Sequence, residues 1–197
     1  MSTNELKQAI KEDIERLKSI ELDIMSSSDY YAENRRLLTQ IFFRMYLVPV
    51  LAFCLSAVFH WKDVFYGWET FYILAVGLGG SFLVTGLICL FIQDSLNDYV
   101  IFHHQLQSHL KTGELLDSQI QRAGWLAYKI FVPVVVIPVL FLHPSSVVIT
   151  EFVAFFVSAT VTGILVEMEM KRIGISILFS LVKDFFGKSD KLNQLAK

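Results

Sequence analysis

Basic residues lie almost entirely on one side of four long apolar segments, at 41–61, 71–92, 125–142 and 147–166, and this sidedness constrains the chain more than any other feature. Lys7, Lys11, Arg16, Lys18, Arg35, Arg36 and Arg44 precede or open the first segment, and Lys62 alone lies between the first and second. Lys111, Arg122 and Lys129 follow the second, none separates the third from the fourth, and Lys171, Arg172, Lys183, Lys188, Lys191 and Lys197 come after the fourth. Sixteen of the 17 therefore share one side. Each segment has roughly the length of about 20 residues that crosses a hydrocarbon core of about 30 Å. By the positive-inside bias, the first and third run outward and the second and fourth return, so both termini are expected in the cytoplasm.

The expected fold class is all-α: a polytopic membrane protein with four transmembrane helices in two hairpins and cytoplasmic helical extensions. The corresponding divisions are 1–38 for cytoplasmic amphipathic helices, 39–93 for the first hairpin, 94–124 for a cytoplasmic helical connection, 125–168 for the second hairpin and 169–197 for a C-terminal helix. A bacterial inner membrane is the expected location. A hydrophobic share of 54% with 17 phenylalanines suits lipid contact rather than an ordinary soluble domain. A net charge of -2 supplies no basic field, which argues against direct nucleic-acid binding. Cys54 and Cys89 both fall inside spans, where they act as small apolar residues, and no disulfide or zinc spacing exists. The charged first forty residues lack the short apolar core of a cleavable signal.

Aromatic and cationic residues mark the expected membrane boundaries. Trp61 and Trp68 flank the outer hairpin, Trp125 opens the third span, and Arg44 and Lys129 sit close enough to the inner surface for their long side chains to reach headgroups. Before the first span, Leu6, Ile10, Ile14, Leu17, Ile20 and Ile24 recur at steps of three or four and predict an amphipathic helix over 3–24. Ser2 and Glu5 fit its capping box, and Asp29 is the candidate cap of the next helix. The polar face of this first helix mixes both charges, with Glu12 four residues before Arg16, which favours docking on protein over lying on lipid. Beyond the second span, Leu96, Tyr99, Val100, His103, Leu106 and Leu110 predict a continuing helix that stops at Gly113, followed by a short helix through Leu115, Leu116 and Ile120. Leu6, Ile10, Ile14, Leu17, Tyr99 and His103 are the candidate contacts for a cytoplasmic protein partner. The apolar positions from Ile173 to Phe186 fit either a helix on the inner leaflet or an extension of the fourth span.

Small residues recur every four positions in the even spans, as Gly77, Ser81 and Thr85 and again as Ala154, Ser158 and Thr162. Lipid gives helices no hydrophobic reason to associate, so close backbone approach and hydroxyl hydrogen bonds have to do it, and both stripes read as helix interfaces. They serve either packing within one chain or a seam between copies. Pro49, Pro133 and Pro138 occupy the odd spans and predict bending. Glu151 is placed near the outer end of the fourth span beside His143, so no ionisable group is expected at mid-membrane, and a proton relay is not expected. His103, His104 and His109 lack the three- or four-residue spacing that would bring them to one helix face, so no metal ligand is assigned. No nucleophile stands beside a base, no cofactor motif occurs, and an enzyme is not expected.

In size, four spans, inward termini and helical extensions around Leu6 to Ile24, Leu96 to Leu110 and Ile173 to Phe186, the chain resembles the small four-span membrane subunit of the bacterial phage-defence system Kiwa. That resemblance implies a homo-oligomer, with a tetramer as working stoichiometry, that detects membrane disturbance and holds a cytoplasmic DNA-binding effector. It transfers no functional residues. The function expected is a non-enzymatic membrane scaffold or sensor. The alternatives are a small oligomeric channel or pore lined by the Ser and Thr stripes, and an entry-exclusion or assembly protein of a conjugation system.

Overall fold

A computed structural model of the chain describes residues 3–17, 26–60 and 69–173. Among these residues every regular element is helical. Helix α1 (Thr3–Leu17) is followed by α2 (Ser27–Phe59), then by α3 (Glu69–Leu74), which passes through a π turn (Ala75–Gly79) into α4 (Gly80–Ile101). A second π turn (Phe102–Leu106) ends that rod. Helix α5 (Gly113–Phe141), a 3-10 turn (Pro144–Ser146) and α6 (Val147–Ile173) complete the order. Four of these stretches are long and apolar enough to cross a membrane. Expectations that rest on Ser2, Trp61, Lys62, Trp68 and the tail after Ile173 lie outside the described residues, as do the side chains of Leu6 and Leu17.

The spans bury little of themselves. Between 17% and 33% of each span's most apolar window is buried, while Phe43, Leu51, Phe71, Leu83, Phe91, Phe141 and Ile164 stand exposed around the bundle. A water-soluble monomer does not expose a continuous apolar belt of this kind, so its solvent is hydrocarbon. Helix α2 packs chiefly on α4, and α5 on α6, which gives two antiparallel hairpins. Val48, Ala52, Phe53 and Ala57 of α2 meet Phe131, Val135 and Val139 of α5 and Val147 and Ala154 of α6 in the core between them.

Helix α2 begins at Ser26, whose hydroxyl accepts from the Asp29 amide at 3.3 Å and donates to the Asp29 carboxylate at 2.6 Å. The cap is therefore Ser26, three residues before the expected Asp29, which is instead its partner at the third helical position. Helices α2 and α5 run unbroken through Pro49, Pro133 and Pro138. The π turns lie instead in the proline-free rod. The first falls on Gly77 and Gly79, where a Cβ on Gly77 would stand 2.3 Å from the Phe53 ring. Bare backbone there lets the ring of α2 press into the turn. Each π turn admits an extra residue, so the positions beyond it rotate by about 100°, one residue's step on a helix of 3.6 per turn.

The end of the bundle that carries Arg35, Arg36, Lys111 and Arg122 is folded well beyond the spans. A second cluster forms there from Ile10 of α1, Phe102, Leu106 and Leu110 after α4, and Leu116 of α5, with Ile14 packed against it. The rod stops at Leu106, the chain turns through 107–112, and Gly113 opens α5 rather than closing the preceding helix. A Cβ at Gly113 would lie 2.1 Å from the Gln107 carbonyl oxygen, so the turn needs a glycine at its closest approach. The expected short helix after it and the third span are one continuous helix, α5.

Candidate functional site

Two polar constellations stand out, one inside the spans and one at the basic end. The first grows from the small-residue stripes. Gly77, Ser81, Thr85, Ala154, Ser158 and Thr162 are all buried within the single chain. Helices α4 and α6 approach closely enough that a Cβ on Gly80 would stand 2.7 Å from Val148. Three residues before Ala154, Glu151 continues the same face, and its carboxyl is wholly buried. The Thr85 hydroxyl donates to Glu151 Oε1 at 2.6 Å. Among the described residues Glu151 Oε2 and the Ser81 and Thr162 hydroxyls have no hydrogen-bond partner, and Ser158 donates to the Phe155 carbonyl.

This corrects the placement of Glu151 as an outer-mouth charge beside His143. His143 is exposed and bonds Ser145 at 2.9 Å, while Glu151 is buried and bonded to Thr85 of α4. The rod of α3 and α4 begins 11 residues before Gly80, at Glu69, so the first turn of α6 meets Gly80 instead of the rod's outer end. Glu151 is thus buried inside the spanning stretch Pro144–Lys171, one turn past the start of α6 and near the outer end where the sequence placed it.

The second constellation joins α1 to the inner connection. Asp13, buried on the apolar face of α1, accepts from the Lys111 and Thr112 amides at 2.8 Å each and from the Thr112 hydroxyl at 2.7 Å. It thus caps the start of α5 from another helix. Around it, Glu12 pairs with the Lys111 ammonium and Gln8, and Arg16 reaches the His109 carbonyl. Arg16, four residues after Glu12, also acts on that carboxyl. The Lys111 ammonium and the Gln8 amide hold the Glu12 carboxyl below its ordinary value of 4.5.

A neighbouring carboxylate, Asp117 of α5, gathers the Tyr99 hydroxyl at 3.1 Å, the His103 ring at 3.3 Å and the Gln121 amide at 2.9 Å. Tyr99 and His103, candidates for contact with another protein, thus close on their own chain, and Ile10 and Ile14 pack on it too. Among the described residues no group of three His, Cys, Asp or Glu converges as a metal site. Trp125 is exposed at the basic end of α5, with the Lys129 ammonium 5.2 Å from its ring centre, and Arg44 is exposed on α2. That is a cation–π contact at the boundary where both residue types are stable.

Sequence reasoning passed over Asp13 and Asp117 and gave Glu151 no partner in α4. Asp13 and Glu151 carried a usable signal: each interrupts an otherwise apolar or small-residue face at the helical step, Asp13 three after Ile10 and Glu151 three before Ala154. A charged residue inside such a stripe has to find a buried partner.

Fold and sites together define an all-α integral membrane protein with four apolar helices and a folded polar assembly at one end. Comparison with protein-family models, with curated proteins and with solved structures gives no match to this chain.

Proposed function

We propose that the chain is a non-enzymatic membrane scaffold or sensor whose basic end faces the bacterial cytoplasm and holds a protein partner there. The observation that carries this reading is the Asp13 clamp, which builds α1, the 107–112 turn and the head of α5 into one platform at the basic end. The last two spans, by contrast, are joined by only a few residues at the other end. A fold that invests its polar contacts on one side of the bilayer is suited to engage a macromolecule there. Ile10 and Ile14 of α1 are spent on the platform itself, so the partner would meet its polar outer face, where Glu5, Gln8, Lys11 and Glu15 are exposed. An anti-phage role, with self-association in the membrane, belongs to the same proposal. Self-association would use lipid-facing surface, because the small-residue stripes are buried within one chain. The same burial weighs against a conduit between copies lined by those stripes.

The test is co-purification from native cells in mild detergent, with planar-bilayer recording of the purified chain. A cytoplasmic protein that accompanies the full chain and is lost when the residues before Ser26 are deleted supports the scaffold. Conductance from purified protein would favour a pore. A membrane partner that survives the deletion would favour the conjugation reading.

A further inference from the structure

We propose that Glu151 is an intramembrane proton-binding site, with the Thr85 and Ser81 hydroxyls of α4 as its hydrogen-bonding partners. The carboxyl is fully buried between α4 and α6, Thr85 donates to Oε1 at 2.6 Å, and Oε2 has no partner. An ionised carboxylate with one donor and a bare oxygen is among the most costly arrangements a bilayer interior offers. A hydrogen on Oε2 removes that cost, and the neutral acid is the form this arrangement holds.

The second state is built into the same face. Ser81 lies one turn before Thr85 on the same face of α4, and its hydroxyl is buried. When the Oε2 proton passes to water, the carboxylate keeps the electron pair, and rotation of the Ser81 hydroxyl supplies a second donor. Glu151 stands one turn, about 6 Å at 1.5 Å per residue, from the start of α6. Among the described residues the carboxyl enters no salt bridge. Within the apolar stretches 41–61, 71–92, 125–142 and 147–166 and the turn between the last two, the other titratable groups are Arg44, Tyr46, Cys54 and His60, Tyr72 and Cys89, Tyr128 and Lys129, and His143. Tyr46 is committed to the Leu78 carbonyl, His60 to Ser56 and His143 to Ser145. Proton occupancy would thereby set the contact between α4 and α6.

The experiment is infrared difference spectroscopy of the full chain in lipid nanodiscs across a pH series, for wild type, Glu151→Gln and Thr85→Val. The expected result is a protonated-carboxyl C=O band at neutral pH that vanishes reversibly in alkali and is absent from Glu151→Gln. Thr85→Val should move the band to higher frequency, because a carbonyl that loses a donor stiffens. Glutamine matches the neutral acid in shape, so that variant should keep its elution profile and helical circular dichroism. A second measurement needs no variant: dicyclohexylcarbodiimide, which attacks protonated carboxyls in apolar surroundings, should label wild-type Glu151, less as pH rises. A band that Glu151→Gln does not remove, one that Thr85→Val does not move, one that persists at every pH, or an unlabelled Glu151 overturns the proposal.

Discussion

Asp13 and Thr112, 99 residues apart in sequence, are joined twice, through the Thr112 amide at 2.8 Å and its hydroxyl at 2.7 Å. The pair ties the first helix to the start of the third span, so neither α1 nor the 107–112 turn is an independent appendage. Asp13→Ala would leave two amides and a hydroxyl without their acceptor. Removal of such a cap costs about 1–3 kcal/mol, locally in α1 docking. Hydrogen exchange over residues 3–17 should rise while exchange in the spans is unchanged.

Gly77 and Phe53 offer a sharper steric test. Gly77→Ala places a methyl 2.3 Å from the Phe53 ring and should destabilise the bundle by about 1–3 kcal/mol in reversible detergent unfolding. Phe53→Leu in the same chain should recover part of that loss, a coupling that a double-mutant cycle reads directly. Gly86→Ala and Gly163→Ala meet nothing within 4 Å and should be neutral or slightly stabilising.

The Glu12 and Lys111 pair gives the platform a dependence on pH. Its folded carboxyl titrates below the ordinary 4.5, chiefly through the Lys111 hydrogen bond, so its contribution is present above that value and fades as pH falls below it. Exchange in α1 should therefore increase on acidification through this window and, because the pair is exposed, also with salt. Glu12→Gln should lose most of both dependences.

Sidedness can be read from single cysteines placed in a Cys54→Ser, Cys89→Ser chain. A cysteine at Ser145 should react with an impermeant maleimide applied to intact cells, and one at Ser108 only after lysis. The reverse pattern would invert the orientation and place the platform outside.

The four spans, their pairing into hairpins and the all-α class were legible in the sequence because each rests on local quantities: twenty apolar residues, a short turn, the step of three or four. The small-residue stripes were legible for the same reason, since a helix brings every fourth residue to one face. What the tertiary structure alone decided is how polar groups far apart in sequence are shared. Asp13 serves Lys111 and Thr112, Asp117 gathers Tyr99 and His103, and Glu151 meets Thr85, each across a gap of chain that no periodicity links. The Gly77 π turn likewise exists where Phe53 of another helix needs its space. Hydrophobic matching to a bilayer depends on composition along one helix and can be read there, whereas a buried polar bond depends on the register of two helices, which only their mutual packing sets.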